Sequence, residues 1–187
     1  IFVNEKQFNN ADDYKNYPRN KGKDYDFCDQ YDVDVIFEPS NKEIYDQQEE
    51  ILINKNFQNV LCDKFRPGHF NGVITVLDKL FSIVKAQKVY FGEKDYQQLK
   101  IVKSFIQENF QNLLLVSVPT VRLDEGIAFA SRNENLSKKQ FQEFIKFHQN
   151  TLEFISNVDR KIDISEANTL ASEFINNQNL EKFDYFE

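Results

Sequence analysis

The chain contains no methionine and no tryptophan, and its 187 residues include only two cysteines, five glycines and four prolines. Cys28 and Cys62 sit in unrelated surroundings, without Cys-x-x-Cys or Cys/His spacing. That pattern argues against a disulfide framework or a structural zinc site and points to reduced thiols in a cytoplasmic protein. No apolar run approaches membrane-spanning length, and no signal-peptide pattern is present. Basic charge is also scarce: 23 Lys and Arg against 30 Asp and Glu leave a net charge of −7. This balance argues against a nucleic-acid or membrane-surface binder built on a basic patch, yet it leaves room for a small cationic pocket. With no methionine and an abrupt opening at Ile1-Phe2-Val3-Asn4, the chain is expected to be a segment of a longer protein.

Phenylalanine, by contrast, is plentiful: 19 residues in a chain that is 41% hydrophobic. The length suits one large or two small domains with a real core. One stretch organises the rest, Val89-Tyr90-Phe91-Gly92-Glu93-Lys94-Asp95-Tyr96-Gln97-Gln98. A short apolar strand runs into a Gly-Glu-Lys-Asp turn, and an amphipathic helix follows. A helix N-terminus with free N–H groups and a lysine beside it is where an α/β protein holds an anion. The turn is not a P-loop, because it lacks the long glycine loop and the Lys-Ser/Thr pair. Asp95 and Gln98 also have N-cap and N3 spacing, so helix capping is a competing explanation for both.

Around this stretch the pattern predicts strands over 1–4 and 33–37 and a short third candidate over 51–53. A weak helix is expected over 15–31, with Phe27 on its inner face. Arg66 to Gly72 is a turn cluster, and Val73, Val76, Leu77, Leu80, Phe81 and Val84 then recur at helical spacing. A strand over 88–91, a helix over 96–109 carrying Leu99, Val102 and Ile106 inward, and a strand over 113–118 complete a βαβ pattern with a parallel sheet. The continuous apolar run of the last strand suits burial on both faces. Beyond Pro119 the composition shifts. Ser137 and Gln140 have capping-box spacing before a helix with Phe141, Phe144, Ile145, His148 and Leu152 on one face. Asp163 and Glu166 repeat that spacing before a helix bearing Ala167, Leu170, Ala171 and Phe174, and residues 182–187 read as a strand. The division expected is 1–120 and 121–187.

Four further stretches stand in order around the central one: Ile1-Phe2-Val3-Asn4-x-x-Gln7-Phe8, Tyr17-Pro18-Arg19, Arg66-Pro67-Gly68-His69-Phe70 and Ser131-Arg132-Asn133. Together with Phe91 to Gln98 they resemble the pantothenate synthetase (pantoate–β-alanine ligase) family. The resemblance covers Ile1 to about Leu136 well and the remainder loosely. It implies an α/β fold, with a Rossmann-like nucleotidyltransferase domain built on a parallel sheet and a smaller α+β C-terminal lid domain. It also implies an ATP-dependent ligase that joins pantoate to AMP, releases pyrophosphate, and lets the β-alanine amine attack the acyl-adenylate. The partners implied are pantoate, β-alanine, ATP with Mg²⁺, and a second subunit in a homodimer, with no nucleic acid and no membrane.

Residue by residue, the resemblance assigns Lys94 and Arg132 to catalysis at the phosphates. ATP would be held by Gly92, Glu93, Lys94, Asp95, Val121, Phe129, Ala130, Ser131 and Arg132. Gln7 and Gln98 would bind pantoate, and Gln7 also β-alanine. Cations are needed because charge develops on the α-phosphate and the departing pyrophosphate. An amide suits a substrate bearing a carboxylate and hydroxyls. Asp24 matches a carboxylate associated with Mg²⁺ in some members. Gln97 reads as a surface amide, His69 as shaping the substrate cleft rather than acting as a general base, and His148 as a packed structural histidine.

The sequence departs from the family in three places. Ala130 stands where the first of two serines is usual, removing one phosphate contact of about 1 kcal/mol, and Glu5 replaces a proline. The family's His-x-Gly-His motif is expected upstream of Ile1, and without it little activity is expected. A related nucleotidyltransferase and a truncated, non-catalytic nucleotide-binding module are the alternative readings.

Overall fold

The computed structural model describes residues 2–45, 49–130, 133, 135–159 and 161–178. It divides into two compact units, Ile1–Val118 and Pro119–Glu187.

In the first unit, two helices replace the single one expected over 15–31: α1 (Ala11–Asn16) and α2 (Lys21–Gln30). Pro18 causes the break, since the residue before a proline is driven out of the helical region, and Tyr17 is extended at φ −61°, ψ 127°. Asn20 restarts the helix by accepting a 3.1 Å hydrogen bond from Lys23 N. Phe27 does not face inward, being 59% exposed. Half of the residues of helix α2 are charged, and it buries none. The strand expected over 33–37 is likewise absent, and Val35 is 80% exposed. Alternation supplies a strand's period but not a partner, and this segment is tethered by side chains instead: Lys21 and Tyr25 both hold Glu38.

Helix α3 (Asn41–Tyr45) buries Ile44 completely. The next expected strand, 51–53, is an unpaired strap. Its donors are taken by helix side chains, Ile51 N by Thr75 Oγ1 at 2.9 Å and Ile53 N by Asn71 Oδ1 at 3.0 Å. Residues 2–4 also form no strand; Asn4 instead caps a 3-10 turn over Glu5–Gln7. A one-turn helix, α4 (Cys62–Phe65), precedes α5 (His69–Val84). The latter begins four residues earlier than its periodicity suggests, because Gly68 at φ 80° turns the chain and brings His69 and Phe70 inside.

Strand β1 (Lys88–Gly92), helix α6 (Tyr96–Asn109) and strand β2 (Leu114–Val118) form the expected βαβ unit. The strands are parallel, with Lys88 opposite Leu114 and Gly92 opposite Val118. The core gathers Phe70, Val73, Ile74 and Phe81 from α5 with Ile101, Val102, Phe105 and Ile106 from α6, and Val89, Phe91, Leu113 and Leu115 pack against it. Only one face of the pair is served. Leu114 and Val118 are 55% and 41% exposed, so β2 is not buried on both faces. Among the described residues the sheet has two strands.

The second unit begins with a short turn bridged antiparallel at Arg122 and Ala128. Helices α7 (Lys138–Asn157) and α8 (Ile164–Asn176) follow. The capping box forms reciprocally at Ser137 and Gln140, while Asp163 caps Glu166 N. Ile145 is buried as expected, whereas Leu152 is 54% exposed. Phe174 stacks on Phe154 at 4.6 Å between centroids. His148 packs beneath the turn, where a Cβ on Gly126 would lie 2.8 Å from its Nε2. The strand expected over 182–187 lies outside the described residues.

Close approach also governs α5. A Cβ on Gly72 would stand 2.5 Å from the Lys6 carbonyl oxygen, so the helix meets the Glu5–Gln7 turn backbone to backbone. Gly72→Ala is expected to lower stability by about 1–3 kcal/mol through overpacking, read as a reduced urea midpoint with an unchanged slope. An unaltered midpoint would mean that the turn yields at no cost.

Candidate active site

Strand β1 delivers the chain into a 3-10 turn over Glu93–Asp95, and α6 starts at Tyr96. Asp95 occupies the N-cap position, yet its side chain makes no capping hydrogen bond. Its carboxylate lies instead 3.1 Å from Lys94 Nζ, in a pair whose side chains are 42% and 62% exposed. Exposed pairs of this kind contribute little to stability, so neither group is committed to the fold. Gln98 is half-buried, and among the described residues its amide has no hydrogen-bond partner. Capping therefore does not account for Asp95 or Gln98, and among the described residues no side chain is bonded to the first-turn N–H groups of α6. Gly92 has φ −72°, and a Cβ there would meet nothing within 4 Å. The fold itself does not require glycine at this strand end, which is open to close approach from outside.

A second cluster surrounds Gln7. Asn4, 4% exposed, is saturated: Nδ2 donates to Gly72 O at 3.0 Å and Gln7 Oε1 at 3.2 Å, while Oδ1 accepts from Lys6 N and from the Tyr45 hydroxyl. Burial, with the charges of Glu5 and Tyr14, pushes the Tyr45 phenol up to about 12, so it is a neutral donor. The Gln7 main-chain oxygen accepts from Arg66 Nη2 at 3.3 Å and meets His69 Nδ1 at 2.5 Å. Beside these groups a cavity of about 220 Å³ is lined by Asn4, Gln7, Phe8, Tyr17, Val76 and Leu80. Sequence reasoning passed over Asn4 as a functional residue; its only signal was the spacing Asn-x-x-Gln after an apolar start.

The charge of Asp95 is felt at the Gln7 cluster. Burial lowers the His69 pKa, its bond to Gln7 opposes that, Arg66 lowers it further, and the charges of Asp95 and Asp63 act to raise it. Asp95 thus stands within electrostatic reach of the group that holds Gln7.

Gln97 is not a surface amide. It is half-buried, and it bridges Val60 O through Nε2 at 2.9 Å and Cys62 N through Oε1 at 3.0 Å. Between those two groups Leu61 has φ 48° and ψ −128°, a conformation that costs a non-glycine residue on the order of 1–3 kcal/mol.

In the second unit, Phe129 N donates to Val121 O at 2.9 Å, so these two candidate ATP residues sit opposite one another on one short turn. Both are largely exposed, and Ala130 is half-buried. Phe129 and Ala130 join Leu123, Asn133 and Phe141 around a cavity of about 340 Å³. Ser131 and Arg132 lie outside the described residues. Asp24 is half-buried in the first turn of α2. Among the described residues no three metal-ligating side chains gather in one place, which does not fit a metal held by protein groups alone.

The fold defines a parallel α/β protein whose first strand runs into a helix through an exposed turn bearing Lys94 and Asp95, with an amide-bearing pocket in the same unit. Within that class the chain belongs to the pantoate–β-alanine ligase family: the family model described as Pantoate-beta-alanine ligase matches residues 1–187. A pantothenate synthetase of Legionella pneumophila (strain Lens) is 44% identical over 155 residues, covering 80% of this chain and 62% of the relative. The crystal structure of pantothenate synthetase from Thermus thermophilus superposes with a TM-score of 0.82 at 32% identity, covering 95% of this chain and 65% of that one. Pantoate–β-alanine ligase from Francisella tularensis, solved with β,γ-ATP and β-alanine, gives 0.77 at 34% identity, over 100% of this chain and 70% of that one. The chain therefore spans about 62% of the length of the Legionella relative. No helix among the described residues is long and apolar enough to cross a membrane.

One property of the Gln7 cluster needs no ligand to measure. Because the folded-state pKa of His69 is lowered from 6.5, the native protein binds fewer protons than the unfolded chain just below that pH. Stability should therefore fall as pH drops through 6.5 toward the depressed value, and level off below it. Denaturant midpoints at pH 5 and pH 7 test this, with His69→Asn expected to lose part of the difference. An identical difference in both proteins would show that His69 does not titrate in this window.

Proposed function

We propose that the protein acts as an ATP-dependent pantoate–β-alanine ligase, forming pantoyl-adenylate and pyrophosphate before β-alanine displaces AMP. The observation that carries this reading is a set of groups the fold does not use, Lys94, Asp95 and Gln98 on the α6 turn, with the Asp95 charge felt at His69, which holds Gln7. Pantoate bears a gem-dimethyl centre between its carboxylate and its hydroxyls. A pocket with apolar walls from Phe8, Val76 and Leu80 and the Gln7 amide at its edge has the matching chemistry. The Francisella relative, crystallised with a nucleotide and β-alanine, supports the same substrates here.

In this reading the pantoate carboxylate attacks the α-phosphate, and the Lys94 ammonium offsets the charge that builds on the phosphates. Asp95 accepts the ribose hydroxyls, and the open Gly92 backbone lies against the nucleoside with Glu93. Val121, Phe129, Ala130, Ser131 and Arg132 make the second set of ATP contacts, in a C-terminal domain over 121–187 that serves as the lid. Gln7 and Gln98 orient pantoate, and Gln7 then meets β-alanine. Mg²⁺ arrives with ATP, where it shields the phosphates; Asp24 is its candidate protein contact. A homodimer in the cytoplasm completes the reading.

The test is isotope exchange between pyrophosphate and ATP, using the full-length protein. Exchange is expected only when pantoate is present, and exchange without pantoate would remove the substrate assignment. Lys94→Ala should slow adenylation by about 10²–10³-fold with an unchanged unfolding midpoint. Turnover at the parental rate would take Lys94 out of the mechanism.

A further inference from the structure

The segment Arg66-Pro67-Gly68-His69 supplies no group to the reaction above, yet two of its side chains converge on one atom of the Gln7 turn. We propose that Arg66 and His69 are positioning residues for pantoate, clamping the Gln7 main-chain oxygen so that the Gln7 amide is held at the pocket. The proposal rests on the reading of Gln7 as a pantoate-binding residue.

The turn over Glu5–Gln7 has little means of holding itself. It is three residues long, and 3-10 bonds are weaker than α-helical ones. At its end the Phe8 N–H reaches Glu5 O at 3.1 Å, leaving the Gln7 carbonyl to be satisfied from elsewhere. A carbonyl oxygen accepts two hydrogen bonds, and both are supplied here by one segment, at 3.3 Å from Arg66 Nη2 and 2.5 Å from His69 Nδ1. Gly68 makes the convergence possible. At φ 80° it reverses the chain so that His69 N bonds Arg66 O at 3.1 Å, setting the two side chains on one side of the turn. Asn9 Nδ2 donates to Pro67 O at 2.9 Å, a further link between the same two segments.

The other end of Gln7 is also fixed. Its Oε1 accepts from Asn4 Nδ2, so among the described residues Nε2 is the amide atom left without a partner in a side chain that lines the pocket. With main-chain and side-chain oxygens both engaged, the residue loses most of its rotamer freedom before any substrate binds. Pre-organisation of this kind lowers the ordering cost of binding without adding a contact.

The geometry also dictates the state of His69. A carbonyl oxygen cannot donate, so the proton must sit on Nδ1, and Nε2 carries the lone pair. Free neutral histidine prefers the opposite tautomer. Burial, which lowers the His69 pKa, keeps the ring in this neutral form at pH 7.

Nitrogen-15 NMR of the full-length protein, with calorimetric binding of pantoate and of ATP, tests the proposal. The expected His69 signature is the Nδ1–H tautomer; the Nε2–H tautomer would overturn the clamp. His69→Ala should weaken pantoate about tenfold, the scale of one lost hydrogen bond, and raise its KM in parallel, with ATP affinity and kcat changed much less. His69→Asn, whose Nδ2 replaces Nδ1, should recover most of that loss. Equal losses for pantoate and ATP, or no recovery with Asn, would make the segment merely structural and overturn the proposal. Gln7→Ala separates the two layers. If it is harmless to pantoate binding, the reading of Gln7 fails and the proposal falls with it. If it is damaging while His69→Ala is not, the clamp alone fails.

Discussion

Helix α5 and the Glu5–Gln7 turn meet with no side chain between them, and the candidate site depends on that contact. Gly72 permits it, Asn4 seals it by donating to Gly72 O, and Arg66 and His69 complete it at Gln7. Magnitudes decide which partner leads. Phe70, Val73, Ile74 and Phe81 bury almost completely on α5, each contributing about 1.5–3 kcal/mol. The turn's side-chain bonds contribute about 1 kcal/mol apiece. The core therefore fixes the helix, and the turn takes its position from the helix. A residue in the pocket is only as well placed as the packing on the far side of α5.

Elements with a periodic apolar face over a covered surface were legible: the helices from 73 and from 96, both strands of the sheet, and the capping box at Ser137. Failures gather before residue 61, and they share a cause. Val33 to Phe37 and Ile51 to Ile53 have the composition of strands, but a strand is defined by backbone partners. In the second case the partners are Thr75 Oγ1 and Asn71 Oδ1, side chains on a helix well separated in sequence. Nothing in local alternation encodes that. Phe27 misled for a related reason, because one aromatic among charged residues does not make an inner face.

The site divides in the same way. Lys94, Asp95 and Gln98 were visible because a charged or amide group beside a strand-to-helix turn is conspicuous in the sequence. What remained ambiguous was whether Asp95 and Gln98 served the helix, and only the absence of a capping bond resolves that. Asn4 was overlooked because its role is to saturate other groups. A buried amide that satisfies several neighbours at once leaves no mark in composition or spacing.

Gln97 and Gln98 show how little residue type alone can decide. Adjacent helical positions point about 100° apart, so two identical amides necessarily face different surroundings. Gln97 is drawn to the turn just before α4, where its two ends bracket Leu61 and hold it in a strained conformation. Two bonds at about 1 kcal/mol each are of the same size as that strain, so neither this turn nor the first turn of α6 is indifferent to the other. Gln97 is thus fixed on one side of α6, while the half-buried Gln98 amide has no hydrogen-bond partner among the described residues.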